Sequence, residues 1–564
     1  HLDPPEDWMA AHPDELVGYA DPQAWDGETC WGGPRHPSFA SKPWRADTSD
    51  ALRRLIQHVA QSEYADRIIG WHIGSGVYGE WHAWNGVYYP DTSAPFQREY
   101  ENWRLEKFPD EIASAQLPTV AERMEGDWGV FRDPTRRGWT VEHAEFFHQL
   151  GASALSEFAR VVKEETDRRS IVLAFNGYLP ELGVNHEIDH RAFETTVRDP
   201  NIDAFAAPHS YARRKPGESG LPRGFIGSIR ALGKLWIDEA DERTHIAEPS
   251  PYKHVSSREE GIETLWRSFA HAVTQNSGVW FMDQGGLWFG DKEGSWYADT
   301  EILRAFAQMK GIGEASMQRQ RIRASEVAVV MNFKNAFHLA DRASGLDNVS
   351  GTLTIAQTEQ IARCGAPFDF YLLSELFEPT VPEYKAYIFL DAFTLTDDEL
   401  EAVKSLRDNG KTLLFFYAAG VLSNNELSLQ RMQDLLQMKI EPIESMTLPD
   451  GSAQSPGFVV AGLENRLAQS GQVYYCPAPP LDAAQLREVV RSSGAHVYLE
   501  TDDTLMIGGG YVAIHAAKDG VKTLHWPHAV SWKDERTGEQ LATHQETLQV
   551  SMHCGQTLLL SVTG

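Results

Sequence analysis

The sequence predicts an α/β protein in three parts. Residues 1–324 form a (β/α)8-type TIM barrel that lacks its first two βα units. Residues 325–500 form a flavodoxin-like α/β domain, and residues 501–564 a small antiparallel β domain. Three observations carry this prediction: regular strand–helix alternation over the first 320 residues, polar or aromatic residues closing each strand run, and a change to short strands and turns after residue 500.

In the first part, short apolar runs mark the strands: HLDPP (1–5), RIIGWHIG (67–74), SIVLAF (170–175), IDAFAAP (202–208), KLWIDE (234–239) and GVWFMD (278–283). Between them lie amphipathic helical patterns at 48–63, 140–167 and 258–275, the second with Phe146, Leu150, Leu155 and Phe158 at helical spacing. Alternation of this kind implies parallel strands joined by helical crossovers. Six strands are visible where a closed barrel has eight. The two absent units are expected at the N-terminus, leaving open parallel edges for a partner copy to cover, as a dimer or trimer. EVAVVMNF (326–333), FDFYLL (368–373), YKAYIFLD (384–391) and GKTLLFFY (410–417) are the strands of the second part. No GxGxxG follows the first of them, so nucleotide binding is not indicated. YVAIHAAK, KTLHWP, ETLQVSM and QTLLLSVTG make the third part.

The 564 residues contain 80 acidic and 51 basic side chains, for a net charge of −29. That balance argues against nucleic acid and anionic membranes as partners. No apolar run is long enough for a membrane span. Cys30, Cys364, Cys476 and Cys554 are scattered, without a CxxC pair, which suits a reducing, cytoplasmic setting and neither a zinc site nor a disulfide framework. The chain starts HLDPPEDWMA, with no initiator Met and no signal-peptide pattern, so a processed leader would leave no trace.

Barrel chemistry sits at the C-terminal ends of the strands. Two carboxylates stand out there. Glu80 follows the strand at 67–74 through the glycine-rich SGVYG and is flanked by Trp81 and Trp84, which are expected to raise its pKa. Glu239 closes the strand KLWIDE, among Asp238, Asp241 and Glu242; alternation allows only one of Asp238 and Glu239 to point inward, and a bulged strand end leaves that choice open. A pair of carboxyls with different pKa values is what glycoside cleavage requires, and aromatic rings suit sugar faces. Asn176, His209, Tyr211 and Asp283 at matching strand ends, with Trp84 and Trp288, are the expected substrate contacts.

These blocks resemble the glycoside hydrolase family 42 β-galactosidases and their clan A relatives. PPEDWMAAHPDEL resembles the segment after the third barrel strand. PSFASKPWRADTSDALRRLIQHV, YADRIIGWHIGSGVYGEWHAW and KLWIDEADERTH resemble further family blocks, the α/β unit a trimerisation domain, and the tail the small β domain. The resemblance implies a retaining, exo-acting β-glycosidase, with Glu80 as acid/base on strand four and Glu239 as nucleophile on strand seven. Two departures are clear: Gly79 stands where the clan places Asn, and the family's zinc-binding cysteines are missing, so neither a metal nor another cofactor is expected. The sugar, whether galactoside, glucoside, mannoside or arabinoside, is not specified. A carbohydrate-binding protein without turnover, or an oligomeric scaffold, are the alternatives.

Overall fold

The computed structural model describes residues 2–21, 35–84, 86–108, 116–179, 181, 190–285, 294–319, 323–341, 344–463 and 466–564. The first unit is a parallel half-barrel of five strands in sequential order: β1 (Gly70–His72), β2 (Ile171–Phe175), β3 (Ala204–Pro208), β4 (Leu235–Ala240) and β5 (Gly278–Phe281). Helices α1 (Lys42–Ala60), α2 (Pro134–Glu165), α3 (Phe193–Arg198), α4 (Ile226–Ala231) and α5 (Arg258–Gln275) precede the five strands in turn, and α6 (Thr300–Ser316) follows β5.

Caps fix where the helices start. Ser41 accepts from the Trp44 amide at the head of α1, and Ser257 with Glu260 closes a capping box on α5. The expected first strand, HLDPP, is not one. Pro4 and Pro5 have no N–H to give to a ladder, and the Leu2 N–H donates to Gly74 O at 2.8 Å. Residues 2–5 thus lie beside β1 as irregular chain.

The two faces of the sheet differ. Val172, Ala174, Phe205, Ala207, Trp236 and Asp238 are buried. On the opposite face Ile171 and Leu235 are 43% and 42% exposed. The registers Ala206↔Ile237, Pro208↔Glu239 and Glu239↔Trp280 place Ile237, Glu239 and Trp280 on that open face.

The second unit is a six-stranded sheet. Its parallel strands are β6 (Val327–Met331), β7 (Phe368–Leu372), β8 (Ala386–Phe389), β9 (Thr412–Phe416) and β11 (Val473–Cys476), with β10 (Ala468–Ser470) as an antiparallel edge; the order is β10-β11-β9-β8-β6-β7. Near-continuous apolar strands such as VAVVM and TLLFF suit a sheet buried on both faces. The third unit is an antiparallel sheet of β12 (Thr504–Gly508), β13 (Tyr511–His515), β14 (Gly520–Asp534), β15 (Gln540–Met552) and β16 (Thr557–Thr563).

A loop after β3, residues 211–220, joins all three units. The Gly217 N–H donates to His515 Nε2 at 2.9 Å, and Arg363 Nη2 donates to Gly217 O at 2.8 Å. The Ser219 hydroxyl and amide both donate to the Glu359 carboxylate. From α5, buried Arg267 donates to the carbonyls of Arg214, Lys215 and Glu218 at 2.9–3.0 Å.

Candidate active site

Glu80 lies eight positions beyond the last residue of β1, on a loop whose backbone is unusually constrained. Gly76 has φ +75°, and a Cβ there would lie 2.4 Å from His82 O, so only glycine fits. Tyr78 and Trp81 also adopt left-handed φ, at 59° each. Strained backbone of this kind persists where surrounding contacts over-determine it. Here they do: Trp81 N–H donates to Ser75 O at 2.7 Å and Glu80 N–H to Val77 O at 3.0 Å.

Around the Glu80 carboxylate stand groups from two other loops. The Tyr178 hydroxyl, three residues past β2, donates to Glu80 Oε2. With its proton so used, that hydroxyl accepts from His82 Nε2 at 2.9 Å. The Gly177 amide donates to His190 Nδ1 at 3.2 Å. Nε2 of His190 must then carry the proton, and it donates to Glu80 O. Arg223 lies 4.3 Å from the Tyr178 ring centroid. Burial opposes ionisation of Glu80, but the hydrogen bond and charge of His82, the Arg223 guanidinium and the Tyr178 hydroxyl outweigh it and hold the carboxyl below its ordinary pKa. The expectation that Trp81 and Trp84 raise it is overturned, because both indoles turn away. Trp81 Nε1 donates to Ile73 O at 3.2 Å, and Trp84 is buried in a stack with His36 at 3.5 Å.

Glu239 shows the opposite shift. It accepts from Trp280 Nε1 at 3.0 Å. Burial, Asp241 and Glu80 push its pKa up to about 8, against the pull of Trp280 and Arg214. Glu80, on the loop beyond β1, is thus near enough for its charge to act on Glu239 at the C-terminal end of β4. Asp238 points to the other side of the strand, taking Trp236 Nε1 at 2.7 Å, so alternation favours Glu239 as the open-face carboxylate.

Of the expected substrate contacts, Tyr211 joins this cluster. Its hydroxyl donates to Asp241 Oδ2 at 2.8 Å, its ring lies 3.8 Å from the Arg214 guanidinium, and Glu80 contributes to its raised pKa. Four others are not brought to it. Besides Trp84, Asn176 accepts from Thr196 Oγ1 at 2.8 Å and so anchors α3. Asp283 accepts from the Gly285 and Trp296 amides at 3.1 and 2.9 Å and shapes its own loop. His209 is fully buried, 3.2 Å from Glu242 and 3.6 Å from Asp238. Burial alone would lower its pKa, but the two carboxylates push it up to about 9. Trp288 lies outside the described residues. The residues that sequence reasoning missed are Tyr178, His82, His190, Arg223, Trp280 and the Asp241–Arg214 pair. Among the described residues, no three His, Cys, Asp or Glu side chains are placed to hold a metal ion, and no helix is long and apolar enough to cross a membrane.

These shifts set a pH dependence of stability. Glu239 and His209 both have raised pKa values in the folded chain. Their stabilising contributions are complete below the unfolded values of roughly 4.3 and 6.5 and disappear as pH rises through about 8 and about 9. The melting temperature is expected to fall between pH 6 and 9. Glu239→Gln should recover on the order of 2 kcal/mol at pH 8.5 and much less at pH 5. Calorimetric melts of both proteins at the two pH values test this; equal gains at both would refute it.

The chain shares its fold with GH42 β-galactosidases of known structure. Among the solved structures that share it, a catalytic mutant of a GH42 β-galactosidase from G. stearothermophilus has a TM-score of 0.66 at 16% identity, covering 99% of this chain and 87% of that one. The β-galactosidase of the Antarctic haloarchaeon Halorubrum lacusprofundi has a TM-score of 0.66 at 15% identity, with 99% and 88% covered. An exo-carrageenase of GH42 from Bacteroides ovatus has a TM-score of 0.57 at 11% identity, with 100% and 74% covered. Sequence comparison finds no matching family model and no matching curated relative.

Proposed function

We propose that the protein is a retaining, exo-acting β-glycosidase that cleaves β-galactosides or related β-glycosides by double displacement. The observation that carries this reading is the coupled pair Glu80 and Glu239, two carboxyls with opposite pKa shifts, on the loop beyond β1 and at the C-terminal end of β4. The β-galactosidases that share the fold support the substrate class. In the first step Glu80 protonates the glycosidic oxygen while Glu239 attacks the anomeric carbon. In the second, Glu80 takes a proton from water, which displaces Glu239. Trp280 would hold Glu239 in position, and Tyr178 with His82 would hold Glu80.

The reaction needs one proton on the pair, and the free protein keeps that proton on Glu239. This favours a second reading, in which the roles are exchanged: Glu239 is the acid and the ionised Glu80 attacks.

One experiment separates these readings. Glu80→Ala and Glu239→Ala are assayed with an aryl β-galactoside and azide. In a retaining enzyme the variant lacking the nucleophile yields the glycosyl azide of inverted configuration, and the variant lacking the acid/base yields the retained one. Inverted azide from Glu239→Ala supports the first assignment, and from Glu80→Ala the second. A folded wild type that turns over no aryl glycoside would sink both and leave a carbohydrate-binding protein.

A further inference from the structure

Arg243 lies two residues beyond Asp241, on the loop that leaves β4. Its guanidinium is 5.1 Å from the Tyr252 ring centroid and 4.7 Å from that of Trp296. Among the described residues it has no carboxylate within salt-bridge distance, and its buried Nη1 has no hydrogen-bond partner. This is not for want of acids in a chain with 80 of them against 51 bases. The nearest, Asp241, is already engaged by the buried Arg214 and by the Tyr211 hydroxyl. Tyr252 meets Tyr211 edge to face at 5.8 Å, so Arg243 is connected to the carboxylate cluster through one aromatic contact. Nearer Glu80, Arg223 is 1% exposed and faces the Tyr178 ring; among the described residues its buried Nη1 has no hydrogen-bond partner, though Glu80 and Glu181 act on its charge.

A buried N–H donor without an acceptor costs roughly 1–3 kcal/mol, and more on a charged group. A guanidinium of this kind beside a candidate active site marks a place where an anion is accommodated. Arginine presents a planar fork that matches a carboxylate or a sulfate with two parallel hydrogen bonds. Flanking rings restrict the side chain without neutralising it.

We infer that the sugar bound at this site carries an oxyanion, a carboxylate or a sulfate ester, and that Arg243 between Tyr252 and Trp296 is its anchor. This rests on the glycosidase reading for the location of the site, and it narrows the substrate class to acidic glycosides. Arg223 lies closer to the carboxylate pair and would contribute to the same positive field.

The test is calorimetric titration of the full chain with galacturonate, galactose 6-sulfate, galactose and inorganic sulfate, on the wild type, Arg243→Met and Arg243→Lys. At least one acidic sugar is expected to bind roughly 10- to 100-fold more tightly than galactose. Arg243→Met should abolish that preference, and Arg243→Lys, which keeps the charge but loses the fork, should restore only part of it. Whichever acidic sugar shows the preference identifies the oxyanion. Equal binding of all three sugars, a preference that survives Arg243→Met, or inorganic sulfate binding as tightly as the sulfated sugar would each overturn the inference. If the preference appears and depends on Arg243 while no aryl glycoside, neutral, uronic or sulfated, is hydrolysed, the glycosidase reading fails and the acidic-sugar site stands.

Discussion

Replacing His209 with alanine is expected to destabilise the protein by about 4 kcal/mol at pH 7, because removal of one partner leaves buried charges uncompensated. His209 lies between Asp238 and Glu242 with no exposure to solvent. Without it, among the described residues Asp238 keeps the Trp236 indole at 2.7 Å and the Ser277 hydroxyl at 3.4 Å, and Glu242 keeps the Ser268 hydroxyl and the charge of Arg214. The loss should be at least as large at pH 5, where the histidine's contribution is complete, and should fade as pH rises through about 9. It should also shrink when Asp238→Asn is added to His209→Ala. Urea melts of the wild type and the two variants at pH 5, 7 and 9 measure both effects. A loss under 1 kcal/mol at pH 7 would show that the histidine is neutral and dispensable there.

Tyr178→Phe is expected to lower kcat/KM by roughly 100-fold, the scale of a lost hydrogen-bond donor in an active site. The hydroxyl touches both Glu80 and His82, so its loss also removes one of the groups that hold the Glu80 carboxyl below its ordinary pKa. The acidic limb of the kcat/KM profile should therefore move to higher pH. The alkaline limb, set by Glu239 at about 8, should stay where it is. A lower rate with both limbs unmoved would reduce Tyr178 to a packing role.

Much of this was legible in the sequence, and the failures have identifiable physical causes. The strands at 171–175, 204–208 and 235–240 were readable because β-branched and aromatic runs end at polar residues next to amphipathic helices. Glu80 stood out because glycines on its N-terminal side free the backbone. HLDPP misled because its apolar character hides two residues that cannot donate to a ladder. Trp280 carries no signal of its own within GVWF, where only the register against Glu239 shows it on the open face. The direction a side chain takes past a strand end has no period to read. Asn176 turns back to α3 while Tyr178, two residues on, reaches Glu80. His209 and Tyr211 divide in the same way, one into the core and one into the cluster. Asp241 lay in plain view among four acids, but its pairing with Arg214 crosses from one loop to another and leaves no local signature.

The 211–220 loop has a consequence for how such a chain could evolve or be dissected. It carries Tyr211 and Arg214, which hold Asp241, and a few residues later it is clasped by Glu359 and Arg363 of the second unit and His515 of the third. Both downstream units thus brace the loop that carries Tyr211 and Arg214. A barrel excised on its own would lose the clamps that orient its acid–arginine pair. Recombination between relatives would preserve the chemistry only where all three units, or their shared seam, are inherited together.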